Sequence, residues 1–167
     1  MDNFVDGSVM VVMKGDEYDS KISDIVERVA KKSVCYVCMR RGCADVIRDI
    51  KNAGGDADGF VFIDTNDNAE SDGSHIYLGS SATLETLRDA VARIVDEVHP
   101  EILVFDTLDM LLGHGEKFHV MKFANSIMCS EGIVKKMFLI VGNNGGMCGL
   151  VDDMKMIVEK SIETSNI

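Results

Sequence analysis

Five short segments, each an almost unbroken apolar run, constrain the fold most: SVMVVM at 8–13, SVCYVC at 33–38, GFVFID at 59–64, EILVFD at 101–106 and MFLIV at 137–141. A strand covered on both faces needs no polar alternation, so runs of this length read as buried strands. Between them the apolar period changes from continuous to helical. In 20–32 the residues Ile22, Ile25, Val26 and Val29 share one face, with Asp19 or Ser20 placed to cap the start. In 43–55 the inward positions are Val46, Ile47 and Ile50, and a glycine pair ends the helix. The clearest stripe is Leu84, Leu87, Val91, Ile94, Val95 and Val98, closed by Pro100. A less regular helix over 117–129 places Phe118, Met121, Phe123, Ile127 and Met128 inward. His75 to Gly79 reads as a brief strand or an extended linker, and the tail from Leu150 as a helix with a small strand near Ser161.

Strands alternating with amphipathic helices predict an α/β chain, a three-layer αβα sandwich on a mainly parallel sheet with right-handed crossovers. One domain over 1–167 accounts for the length. The net charge is −11 and no basic stripe interrupts it, which argues against nucleic acid as a partner. No apolar run approaches the roughly 20 residues that span a bilayer, and the acidic N-terminus lacks a signal peptide's basic start, so the expected location is cytoplasmic. Five cysteines are then expected as reduced thiols.

In such a sheet a site forms beyond the C-terminal ends of the strands. Those ends deliver residues 15–21, 38–43, 64–68, 106–109 and 142–148. Two features there carry chemistry. Asp106, followed by Thr107, ends a buried strand, which is where nucleotide hydrolases hold magnesium. After the first strand, GDEYDSKI at 15–22 approaches the phosphate-loop pattern G-x-x-x-x-G-K-[ST].

Taken together, the strand before Gly15, the FID strand end at 62–64, the SSATLETLRDAV segment and EILVFDTLDMLL resemble the RecA/KaiC-like ATPase domain. The resemblance is nearer to its small archaeal members with a degenerate Walker A, and it runs from about Gly7 to Ile162. It implies a RecA-like P-loop NTPase core with the first and fourth apolar strands adjacent, Asp106 in the Walker B position, and a tendency to self-associate. Family members also serve as regulatory modules.

The phosphate loop itself is chemically disabled. Gly15 and Lys21 keep the register, but Ser20 adds a Cβ where a phosphate approaches closest, and Ile22 replaces the hydroxyl that binds magnesium. Asp16, Glu17 and Asp19 put carboxylates where a phosphate chain would run. Each like-charge contact at 4 Å costs on the order of 4 kcal/mol at an effective dielectric of 20. The same stretch also reads simply as a helix start, where acids answer free N–H groups and the dipole. ATP and Mg²⁺ are therefore disfavoured as cofactors, and no metal set is evident. Asp64, with Asn143 and Asn144, forms a further candidate site, Asp64 reading either as a water-activating group or as a turn residue.

Cys35, Cys38 and Cys43 give C-x2-C-x4-C. Within a strand, residues three apart face opposite sides, so Cys35 reads as a small buried hydrophobe. Cys38 and Cys43 remain as candidate reactive thiols, with Arg40 and Arg41 nearby to lower a pKa. His114 and His119, five apart, read as surface residues. The sequence thus leads to a non-catalytic RecA-like domain acting through protein partners or as a homo-oligomer in a regulatory role. A weak ATP-binding sensor or ATPase with an altered loop, and a thiol-based redox protein, are the alternatives.

Overall fold

The computed structural model describes residues 7–133, 135–142 and 148–164. Seven strands and five helices alternate along them: β1 Gly7–Met13, α1 Tyr18–Val29, β2 Val34–Cys38, α2 Cys43–Asn52, β3 Phe60–Asp64, β4 His75–Tyr77, α3 Leu84–Val98, β5 Ile102–Asp106, α4 Lys117–Met128, β6 Lys135–Val141, α5 Cys148–Lys155 and β7 Lys160–Glu163. They form one sheet in the order β4-β3-β2-β5-β6-β1-β7, and its neighbouring strands pair in parallel. The five apolar runs are the five central strands of the sheet. The two tentative ones, β4 and β7, are short edge strands, which suits their mixed polarity.

The connections explain the layers. From β1 the chain passes through α1 to β2 and through α2 to β3, stepping toward one edge. From β4 it passes through α3, α4 and α5 to β5, β6 and β7, stepping the other way. Right-handed crossovers in opposite directions lie on opposite faces. One core accordingly packs α1 and α2 on the sheet through Ile22, Val26, Tyr36, Val46 and Phe62. The other packs α3, α4 and α5 through Leu87, Ile94, Phe105, Phe123 and Phe138. Phe105 anchors the second core, stacked on Phe138 at 5.4 Å and edge-on to Phe123 at 5.7 Å.

Strand order corrects one expectation. β1 and β5 are not adjacent; β6 lies between them, pairing with both. β6 has the longest buried stretch, six consecutive residues from Lys136 to Val141, and a run that apolar is best covered between two neighbours. Two inward assignments also shift. Val98 is 39% exposed and Phe118 is 70% exposed. α4 instead buries Val120, Phe123, Ala124 and Ile127, a stripe whose small members let the helix sit close to the sheet. β6 begins two residues earlier than its apolar run, with Lys136 buried. Its Nζ donates to the carbonyls of Met128 at 2.7 Å and Ser130 at 3.0 Å, answering the C-terminal end of α4.

Candidate functional site

The chain divides between faces at the tips of β2 and β5: β2 leads into α2 on one face, β5 toward α4 on the other. This crevice is where open α/β sheets place their ligands. Its central group is Asp106, fully buried at the end of β5.

The segment facing it from β1 is not a loop. Met13 ends the strand, Gly15–Glu17 make one 3-10 turn, and α1 begins at Tyr18. A phosphate loop needs a run of free backbone N–H groups before its helix; here that backbone is already coiled. Gly15 and Asp16 are exposed within the turn. Lys21 lies in the first turn of α1, half-buried, and Ile22 is fully buried in the core, which is why an apolar residue stands there. Neither Asp19 nor Ser20 caps the helix. The Ser20 hydroxyl donates back to the Glu17 carbonyl at 3.0 Å, and Asp19 is exposed. Glu17 accepts from the Thr164 hydroxyl at 2.7 Å, which ties the end of β7 to this turn and holds the carboxyl below its ordinary range.

What does face Asp106 is Tyr18. Its hydroxyl donates to Asp106 Oδ1 at 2.7 Å, and the Tyr36 hydroxyl from β2 donates to Oδ2 at 2.7 Å. Arg41 Nε stands 3.7 Å from Oδ2, while its Nη1 donates to Asp49 Oδ2 at 2.7 Å. Burial pushes the Asp106 carboxyl above its ordinary pKa, against the two phenols and the guanidinium groups of Arg41 and Arg40, which pull it down. Both phenols are pushed up by burial and then by the Asp106 charge, so they remain donors.

Arg40 closes the crevice from above. Its Nε donates to Thr107 Oγ1 at 3.0 Å and its Nη2 to Asp109 Oδ2 at 2.6 Å. Asp109 Oδ1 in turn accepts the Val141 backbone N–H at 2.9 Å. The tips of β2, β5 and β6 are thereby joined by side chains, and both guanidinium groups lie over the Tyr18 ring, at 5.5 and 5.9 Å. A magnesium ion needs near-octahedral oxygen ligands and keeps several waters. The buried, doubly hydrogen-bonded Asp106 and the apolar Ile22 do not fit that requirement.

Asp64 is a turn residue. Its Oδ2 accepts the Cys43 N–H at the start of α2 and its Oδ1 the Asn66 N–H, each at 2.7 Å. Cys38 and Cys43 are buried, and their thiols are pushed up, not down. Burial is the largest cause in each; the guanidinium groups that would favour a thiolate are engaged by Asp49, Asp106, Asp109 and Thr107. Neither thiol's surroundings favour the thiolate that a reactive cysteine needs. Asn143 and Asn144 lie outside the described residues. His114 and His119 are exposed, as their spacing implies. Among the described residues no cluster of three or more His, Cys, Asp or Glu side chains is arranged to hold a metal ion, and no helix is long and apolar enough to cross a membrane.

Tyr36 escaped the sequence reading, and Tyr18 and Asp109, though inside the strand-end segments 15–21 and 106–109, were given no role there; the two tyrosines carried a signal. The α1 stripe of Ile22, Ile25, Val26 and Val29 extends back to Tyr18 at the same helical spacing. A tyrosine inside a continuous apolar strand, as Tyr36 is, needs a buried partner for its hydroxyl.

No protein-family model matches the chain, and no curated protein matches it. Among solved structures it is similar to a KaiC-like protein from the hyperthermophilic archaeon Pyrococcus horikoshii, with 14% identity and a TM-score of 0.64 over 94% of this chain and 70% of that one. At that identity the likeness speaks to architecture: the chain has the three-layer α/β fold, built on a mainly parallel sheet, of the RecA/KaiC-like ATPase core.

Proposed function

We propose that this protein is a non-catalytic RecA-like domain with a degenerate Walker A, which acts through protein–protein contacts, self-association among them, in a regulatory, cytoplasmic role. The observation that carries the reading is the Tyr18–Asp106 hydrogen bond of 2.7 Å. The group that would hold magnesium is joined to a side chain from the first turn of α1, where a phosphate loop would present its lysine and hydroxyl. Ile22 and the coiled 15–17 turn support the same reading, since neither offers a ligand or a cradle.

Isothermal titration with Mg–ATP up to about 1 mM, equivalent to about −4 kcal/mol, tests it. The expected result is no saturable heat and no shift of the unfolding midpoint. Saturable binding that Lys21→Ala abolishes overturns the proposal.

A further inference from the structure

A second concavity opens on the other side of the same strand tips. It lies between the ends of β2, β3 and β5 and the start of α3, and has a volume of about 180 Å³. Met39, Leu87, Met110 and Leu111 form its apolar walls; Thr65, Asn66 and Ser80 supply polar groups. The Asp106 cluster packs with α1 and α2, whereas Met39, Leu87 and Leu111 belong to the core under α3 and α4. The two are separate sites on opposite faces of one crevice.

The lining defines a ligand chemistry. In a chain with 27% charged residues, no Asp, Glu, Lys or Arg lines this cavity, and His114 is its one titratable group. A charged ligand would find no counter-charge, and burying it unpaired is costly. Two of the polar groups, Asn66 and Thr65, have their protons already committed. Both Asn66 Nδ2 protons go to carbonyls, Arg41 at 3.1 Å and Cys38 at 3.4 Å, and the Thr65 hydroxyl donates to Cys38 at 3.1 Å. What Asn66 and Thr65 have left to offer is acceptor oxygen. Thioether and leucine walls favour the face or edge of a flat ring. The volume equals about six waters at roughly 30 Å³ each, room for one substituted ring. Gly79, at φ +68°, turns the chain so that exposed Ser80 stands at the cavity's edge.

We propose that this cavity binds a small, neutral aromatic amine or amide, whose N–H groups meet the acceptors and whose ring lies between Met39, Met110 and the leucines. Benzamide, cytosine and adenine are suitable probes. Benzoate and benzamidinium have nearly the shape of benzamide but carry a charge.

Ligand-observed NMR and calorimetry on the full chain test the proposal, and they do not depend on its state of association. At least one neutral probe should saturate with Kd at or below about 1 mM, as ligands of about ten non-hydrogen atoms commonly allow. Benzoate and benzamidinium should bind at least about tenfold more weakly, the effect of one uncompensated charge. Ser80→Trp, at an exposed position, should close the cavity and abolish binding; Met110→Ala, which strips one wall, should weaken it about fivefold. Both variants should keep the wild-type unfolding midpoint. Failure of every neutral probe to saturate, equal binding of benzoate, or undiminished binding to folded Ser80→Trp would each overturn it.

Discussion

At the scale of single residues, one buried carboxylate organises the site. Asp106 receives a phenol on each oxygen, and deleting a donor leaves an acceptor buried without its partner. Tyr36→Phe and Tyr18→Phe should therefore each cost about 1–3 kcal/mol in urea unfolding. The pH dependence has a definite sign. Each phenol has a raised pKa in the folded state, so its contribution is complete below the unfolded value near 10 and is lost as pH rises above it. Above about pH 10, each Tyr→Phe change should reduce the slope of stability against pH by up to about 1.4 kcal/mol per unit. Unchanged slopes in both variants would mean that neither hydroxyl is held by Asp106. At this scale the sequence was partly legible. Asp106 could be placed at a strand end from the run preceding it. Its partners could not, because Tyr18 and Tyr36 lie 88 and 70 positions away and only the crossovers bring them to it.

Among the elements, α1 and α3 could be read from their apolar stripes, while α4 could not be phased. In KFHVMKFANSIM two stripes compete, one through Phe118 and Met121, the other through Val120, Phe123, Ala124 and Ile127. Packing selects the second, since Ala124 is fully buried against the sheet and Phe123 meets Phe105 edge-on. Phe123→Ala should cost about 3–5 kcal/mol and Phe118→Ala less than about 0.5 kcal/mol, by thermal or urea unfolding. The reverse order would put α4 in the other phase. Lys136→Met removes the donor that answers the last carbonyls of α4 and should cost about 1–3 kcal/mol, although it replaces a buried cation by an apolar chain of similar length.

For the molecule as a whole, net charge and association pull in opposite directions. Copies carrying −11 each repel one another, and salt screens that repulsion. Sedimentation at about 100 μM, where a complex of only about −5.5 kcal/mol already forms, should show species larger than the monomer. Their fraction should rise when salt is raised from about 0.01 to 0.15 M, as the screening length falls from about 30 to 8 Å. A monomer at both salt concentrations would remove self-association from the proposed role while leaving the closed Asp106 site intact.

The sequence by itself determined the fold class and the five central strands, and it puts Ser20 and Ile22 where the phosphate-loop pattern has a glycine and a hydroxyl. These are local properties, carried by runs and spacings within a few residues of one another. The tertiary structure decided the order of the strands, and with it the insertion of β6 between β1 and β5. It also decided that Arg40 and Arg41 engage carboxylates instead of thiols, and that Tyr18 stands against Asp106. Each of these depends on which distant segments the crossovers bring side by side. Hydrophobic periodicity records whether a residue faces inward, but not which residue it will meet there.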